Sequence, residues 1–199
     1  MQERRDECKV VKIVTCNRDK FREAKAILES KGIKCIQVNL RLVEIQADNL
    51  EEIAERRLRD ALSKVKPPVA TEDAGLFIEA LNGFPGPFSS YVYKTVGCEG
   101  IIKLMRGCTN RRAEFISAVA YANCSGRIHK FIGRLRGKIA LNPLGIGGFG
   151  FDSIFIPSGT CEKTLAELDF DEKNKISHRA KSFSKLASYI KQFMEDDVF

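Results

Sequence analysis

The chain has 199 residues, 44% of them hydrophobic and 30% charged, which is enough for a sizeable core and rules out wholesale disorder. Its longest uncharged stretch, residues 80–93, contains Pro85 and Pro87 and falls short of the ~20 apolar residues a membrane span needs. The first residues alternate charge with short apolar runs, unlike a secretory signal, so a cytoplasmic location is expected. Thirty-three basic against 26 acidic residues give a net charge of +7, which favours a polyanionic partner, either a nucleic acid or a nucleotide. The two signs are interspersed, as in Glu51, Glu52, Glu55, Arg56 and Arg57, so charge alone does not choose between these partners. The seven cysteines include no CxxC pair and are read as scattered thiols rather than a disulfide framework or zinc site.

In chain order, residues 10–14 read as a short buried strand and residues 19–30 as a helix, with Phe21, Ala24, Ile27 and Leu28 as its apolar stripe and Gly32 as its stop. Residues 33–43 suggest one or two further strands. A stronger helix follows, carried by Leu50, Ile53, Ala54, Leu58, Ala61, Leu62 and Val65 at helical spacing and ended by Pro67-Pro68. Residues 69–78 read as an extended segment broken near Gly75, residues 82–90 as a loop, and residues 99–105 as a short helix. Two β-rich runs, 114–123 and 127–136, flank Cys124-Ser125-Gly126 and predict a long hairpin. Residues 142–150 form a glycine-rich loop, 151–156 a strand, and Ala180, Phe183, Leu186, Ala187, Ile190 and Met194 mark a closing amphipathic helix. The expectation is one α/β domain over residues 9–194 with a mixed sheet, and terminal extensions at 1–8 and 195–199.

Three segments carry unusual polar sets. Thr15-Cys16-Asn17-Arg18-Asp19-Lys20 lies between a strand and a helix, where free backbone N–H groups and a partial positive charge suit phosphate. Asn17 or Asp19 equally suits a helix cap. Glu72-Asp73-Ala74-Gly75 ends an apolar strand, where adjacent carboxylates point to opposite faces. Asp73 and Glu44 could each offer oxygen to Mg²⁺, which keeps waters and substrate phosphates as its other ligands. A solvated strand end is the alternative. In the third segment Gly145, Gly147 and Gly150 nominally match a dinucleotide fingerprint, but that motif must open a helix and here a strand is expected. The glycines would instead let a flat ligand approach, with Phe149 as a stacking face or a core residue. Downstream, Lys173, Lys175, His178 and Arg179 concentrate positive charge near a helix start.

Taken together, Thr15-Cys16-Asn17 with Lys20, Glu72-Asp73-Ala74-Gly75-Leu76, the Asn82–Pro87 loop, Gly148-Phe149-Gly150-Phe151-Asp152, and Lys173-Asn174 with Ser177-His178-Arg179 give a sequence that resembles the inosine/xanthosine triphosphate pyrophosphatase family. The resemblance runs over about residues 11–190. It implies an α/β fold with a long mixed central sheet, flanking helices, two lobes and a cleft, assembled as a homodimer. It also implies Mg²⁺-dependent hydrolysis of ITP, dITP and XTP to the monophosphate and pyrophosphate. By the same resemblance Glu44 and Asp73 bind the metal, and Asp73 serves as base for the attacking water. Residues Thr15, Cys16, Asn17, Arg18, Asp19 and Lys20 grip phosphate, Lys20 also counting as catalytic beside Asp73, Arg57 faces the triphosphate, and Lys173 makes a further phosphate or nucleotide contact. Ala74 is a further substrate-binding residue. Phe149, Gly150, Phe151, Asp152, His178 and Arg179 form the purine pocket. Arg179, with donors only, would accept the 6-keto oxygen of hypoxanthine and refuse adenine's amino group; this does not account for rejection of GTP. Cys16, Ala74, Ser90 and Phe151 depart from the common pattern without removing a proposed charge.

Two other functions compete. A Maf-type pyrophosphatase would act on modified or pyrimidine nucleotides, and the Ser177-His178-Arg179 segment argues against it. A basic nucleic-acid-binding protein would bind long polyanions in a salt-sensitive way and have no need of Glu44 or Asp73.

Overall fold

The computed structural model describes residues 10–196, with side chains as far as 193. The expected extension at 1–8 lies outside the described residues, while the helix expected to stop at 194 continues through Asp196. The elements are β1 (Val10–Val14), α1 (Arg18–Ser30), β2 (Lys34–Val38), α2 (Leu50–Leu62), β3 (Val69–Ile78), β4 (Pro85–Gly86), α3 (Ser89–Thr95), α4 (Gly97–Leu104), β5 (Arg112–Ala122), β6 (Ile128–Ile139), β7 (Phe155–Pro157), α5 (Phe170–Ile176) and α6 (His178–Asp196). The sheet has strand order β2-β1-β3-β5-β6-β7, with β4 paired on β3. It is mixed: β1 runs parallel to β2 and β3, whereas β4 on β3 and β7 on β6 are antiparallel.

The chain divides into two compact units, residues 10–73, 117–133 and 179–196 in one, and 74–116 and 134–178 in the other. Strands β3, β5 and β6 contribute residues to both. In the first unit, α1 begins where Asn17 accepts the N–H groups of Asp19 and Lys20, and it stops before Gly32, whose φ of 77° is the left-handed conformation that ends helices. Leu28 and Ala24 pack with Val11, Ile13, Ala70, Val119, Phe183 and Leu186 in one apolar cluster. Each large side chain so buried contributes about 1.5–3 kcal/mol. α2 is capped by Asn49 and buries Leu50, Ile53, Ala54, Leu58 and Ala61. The buried Thr71 hydroxyl donates to the Ala54 carbonyl at 2.8 Å and fixes β3 against this helix. Only β2 forms within residues 33–43. The following segment is irregular and is tied to α2 where Val43 N–H donates to Asp60 at 2.9 Å.

In the second unit, Leu76, Ile78, Ile101, Met105, Phe115, Ile139, Phe151, Ile154 and Phe155 form the core. β3 runs unbroken through Gly75, contrary to the break expected there. The glycine is required because β4 crosses so closely that a Cβ at this position would lie 2.2 Å from the Gly86 carbonyl oxygen. The segment 82–90, expected to be loop, therefore contains β4 and the first two residues of α3. Arg111 closes the unit by donating to three backbone carbonyls, Met105, Ile139 and Ala140, at 3.1, 2.7 and 2.6 Å. The expected strand over 151–156 shortens to β7, because Asp152–Ile154 is a 3-10 turn. The turn expected between β5 and β6 forms as read, with Gly126 N–H donating to Asn123 O at 2.8 Å.

The cysteines do not all follow the expectation of thiols. Cys124 is disulfide-bonded, while Cys16, Cys35, Cys98, Cys108 and Cys161 are free. No helix among the described residues is long and apolar enough to cross a membrane. Burial pushes the Cys35 thiol up to about 11, with Glu29 adding to the shift, so at pH 8 its thiolate is scarce. We expect an alkylating reagent at pH 8 to label exposed Cys16 and Cys161 in the native protein, and Cys35 only after denaturation. Peptide mass mapping checks this, and rapid native labelling of Cys35 would contradict its burial.

Candidate active site

The residues singled out in the sequence fall into two constellations, one in each unit. In the first, the β1–α1 loop is organised by capping. Thr15 Oγ1 accepts Asn17 N–H at 3.1 Å, and Asn17 Oδ1 accepts Asp19 and Lys20 N–H at 2.9 and 3.0 Å. Gln37 Nε2 holds the Thr15 carbonyl at 2.9 Å. Cys16, Asn17 and Arg18 are left exposed at the helix start, and Asp19 pairs with Arg22 at 3.7 Å. The Asn17 cap leaves its amide N–H₂ as a donor group in the same loop.

Lys20, from the first turn of α1, reaches Glu72 Oε2 at 2.9 Å. Arg57 on α2 places Nη1 3.6 Å from Glu44 and 3.8 Å from Asp73, close enough for ion pairing but beyond a normal hydrogen bond. Its Nε is buried without a partner. Burial pushes the Asp73 carboxyl above its usual range; Lys20 and Arg57 pull it back, while Glu72 and Glu44 push it further up. Glu44 itself is exposed. Together these residues present one exposed and one largely buried carboxylate, an ammonium and a loosely held guanidinium with an unsatisfied donor.

Arg179, expected in the purine pocket, lies in the first unit among buried carboxylates. Its side chain is 2% exposed, with Nη1 on Glu23 at 2.5 Å and Nε on Glu72 at 3.2 Å. The guanidinium thus braces two buried carboxylates instead of facing solvent. Glu23, Ser117 and Ser182 belong to the same network and had not been singled out in the sequence. Glu23 lay within the apolar stripe of α1, where a charged residue is a signal; the two serines carried none.

In the second unit, the GGFG loop is folded onto its own chain. Asp152, 4% exposed, accepts Phe149 N–H at 2.8 Å and pairs with Lys173 at 2.5 Å, and the Lys173 ammonium lies 4.7 Å from the Phe149 ring centre. The glycines let the loop pack closely against its own chain. Gly147 N–H bonds Ala166 O at 3.0 Å, a Cβ on Gly145 would lie 2.5 Å from Ala166 C, and one on Gly148 would lie 2.3 Å from Asp152 Oδ2. Gly150 and Ala74 are half-buried. Phe151 is a core residue at 3% exposure, edge-on to Tyr93, and His178 is buried at 3% and stacked on Phe115 with ring centres 4.7 Å apart. Neither presents a face to solvent, because each fills a gap between apolar side chains. Phe149, Lys173 and Asp152 remain as the polar-aromatic group of this unit.

Gly148 has φ of 69° as well as the close contact. A left-handed residue with a Cβ costs about 1–2 kcal/mol, and the collision with Asp152 adds to it. Gly148→Ala is expected to lower Tm by roughly 4–8 °C in differential scanning calorimetry. An unchanged Tm would show that the loop is not held by Asp152.

Comparison with known proteins gives the family. Residues 11–189 match the Ham1 family. A dITP/XTP pyrophosphatase of Methanopyrus kandleri is 51% identical over 181 residues, covering 91% of this chain and 96% of its own. One of Thermococcus kodakarensis is 48% identical over 179 residues, with 90% and 96% coverage. Among solved structures, the Ham1 protein of Staphylococcus aureus superposes with a TM-score of 0.79 at 26% identity, covering 92% of this chain and 99% of its own. The Coxiella burnetii HAM1 protein gives 0.80 at 28% identity, with 92% and 98% coverage. The chain belongs to the Ham1 family.

Proposed function

We propose that this chain hydrolyses non-standard purine nucleoside triphosphates, dITP, ITP and XTP, to the monophosphate and pyrophosphate. The observation that carries the reading is the first-unit cluster, in which Asp73 and Glu44 flank Arg57 while Lys20 stands at the start of α1. Close relatives over nearly the whole chain carry the name dITP/XTP pyrophosphatase. The surface supports a nucleotide over a long nucleic acid: Arg59, Lys130, Arg134, Lys138 and Arg112 are each paired with a glutamate, which weakens any basic stripe.

In this reading water attacks the α-phosphorus, the bond to the bridging oxygen breaks, and pyrophosphate leaves. Glu44 and Asp73 are the residues that would hold a divalent cation, which we take to be Mg²⁺. The donor set fits: Mg²⁺ is commonly held by one or two carboxylates with water and phosphate oxygens completing its shell. When bound, such an ion neutralises charge on the phosphates and leaving group. Asp73, its proton affinity raised by burial, is suited to take the proton of the attacking water. Lys20 and the Arg57 guanidinium offer donors to phosphate oxygens, and Thr15 and Asn17 hold the loop from which Lys20 rises. In the second unit Phe149 offers a stacking face, with the buried Lys173 ammonium against its ring and paired with Asp152.

Asp73→Asn is expected to lower kcat/KM for dITP by roughly 100-fold or more. Its effect on stability has the opposite sign. A carboxyl whose folded pKa is raised binds its proton more tightly folded than unfolded, so the wild type loses stability as pH rises through that interval. The amide escapes the loss. In metal-free buffer the Tm of the variant is expected to exceed that of wild type at pH 8, with the gap closing as pH falls toward ~4. Retained activity would remove Asp73 from the chemistry, and a lower Tm at pH 8 would contradict its placement.

Pyrophosphate release measured with dITP, ITP, XTP and ATP tests the substrate class. The three keto-purine substrates are expected to exceed ATP by at least about tenfold, since one mismatched buried donor costs about 1–3 kcal/mol. Equal turnover of all four would leave the hydrolysis and overturn the base selection.

A further inference from the structure

We propose that Ser117, through Glu72, is a positioning residue for Lys20; the inference rests on the hydrolase reading above. Ser117 on β5 and Glu72 on β3 are both buried, at 0% and 7% exposure. Ser117 Oγ donates to Glu72 Oε1 at 2.9 Å, and the same carboxylate oxygen takes Arg179 Nε at 3.2 Å. The other oxygen, Oε2, faces the Lys20 ammonium at 2.9 Å. One end of Glu72 is therefore held by a hydroxyl and a guanidinium from β5 and α6, and the other end faces the lysine.

Hydrogen counting assigns the hydroxyl protons. Ser117 Oγ also lies 2.9 Å from Ser182 Oγ, and Ser182 Oγ lies 3.0 Å from the Arg179 carbonyl. Each hydroxyl has one hydrogen, and a carboxylate only accepts. A charged acceptor makes the stronger bond, so the Ser117 hydrogen belongs to Glu72. The Ser182 hydrogen is then left for Ser117 or for the Arg179 carbonyl. Either choice keeps Ser117 as the donor that sets the rotation of the Glu72 carboxylate.

The consequence falls on Lys20. A lysine stem is flexible and carries about 2 kcal/mol of rotamer entropy, so an ammonium that must meet a phosphate in one place gains from a fixed anchor. The Lys20 side chain is 21% exposed. The contact with Glu72 is an ion pair, so it fixes where the ammonium stands while its N–H donors can turn to substrate oxygens. Glu72 itself is too enclosed to be the contact, and its work is to hold the lysine.

The test is a double-mutant cycle on kcat/KM for dITP with Ser117→Ala and Lys20→Ala. Ser117→Ala is expected to lower kcat/KM about tenfold and to cost nothing further when Lys20 is already alanine. A merely structural serine would give full activity, or losses that multiply in the double variant, and either result overturns the proposal. Should Ser117→Ala fail to fold by circular dichroism, Glu72→Gln makes the same cycle. It keeps an acceptor for Ser117 but weakens the hold on Lys20, and it must be non-additive with Lys20→Ala in the same way. If the wild type releases no pyrophosphate from dITP, ITP or XTP, the hydrolase reading fails; an active wild type with multiplying losses defeats the positioning role alone.

Discussion

Four elements of the first unit meet at one group of buried charges. Arg179 from α6 joins Glu23 from α1 to Glu72 from β3, Glu72 joins Lys20, and Ser117 from β5 closes the set. Buried charges are tolerated only when paired, and removal of one partner typically costs about 3–5 kcal/mol. The same pairing that makes these residues compatible with an apolar interior also dictates where the Lys20 ammonium stands. Stability and site geometry are consequently set by the same bonds in this unit.

Asp73 illustrates the opposite relation. It follows Glu72 directly in the strand, so its side chain leaves the opposite face, and the ion pair it makes is a long one to the loosely held Arg57, with Glu44 on the same guanidinium. Glu72 has hydrogen-bonded partners, whereas Asp73 has a raised pKa that Lys20 and Arg57 only partly offset. A carboxylate held in that condition detracts from the stability of the fold and is better suited to a cation or a proton. Adjacent residues of one strand thus divide two tasks, one bracing the unit and the other left reactive.

The second unit uses glycine for a comparable purpose. The loop at 145–150 lies against residues 166 and 152 at distances that admit no Cβ, and Asp152 ties Phe149 to Lys173. A phenylalanine beside glycines would ordinarily be mobile on its loop. Here its backbone N–H is bound to a buried carboxylate, so the ring is presented in a fixed attitude with an ammonium over it.

Much of this was determined by local sequence. Helical spacing, the Asn17 and Asn49 caps and Gly32 define α1 and α2, and the order of polar segments marks the candidate site residues, because these signals act within a few residues of the chain. Residues whose roles depend on distant partners were legible only in the tertiary structure. Gly75 looked like a strand break until β4 was seen to pair alongside it, the hold of Glu23 and Glu72 on Arg179 depends on residues far apart in the chain, and Phe151 and His178 are packed against Tyr93 and Phe115. Ser117 and Ser182 gave no sign at all. A side chain's chemistry is written in its residue type, but which charges and surfaces it meets is decided by contacts between segments far apart in sequence, and burial makes those contacts strong.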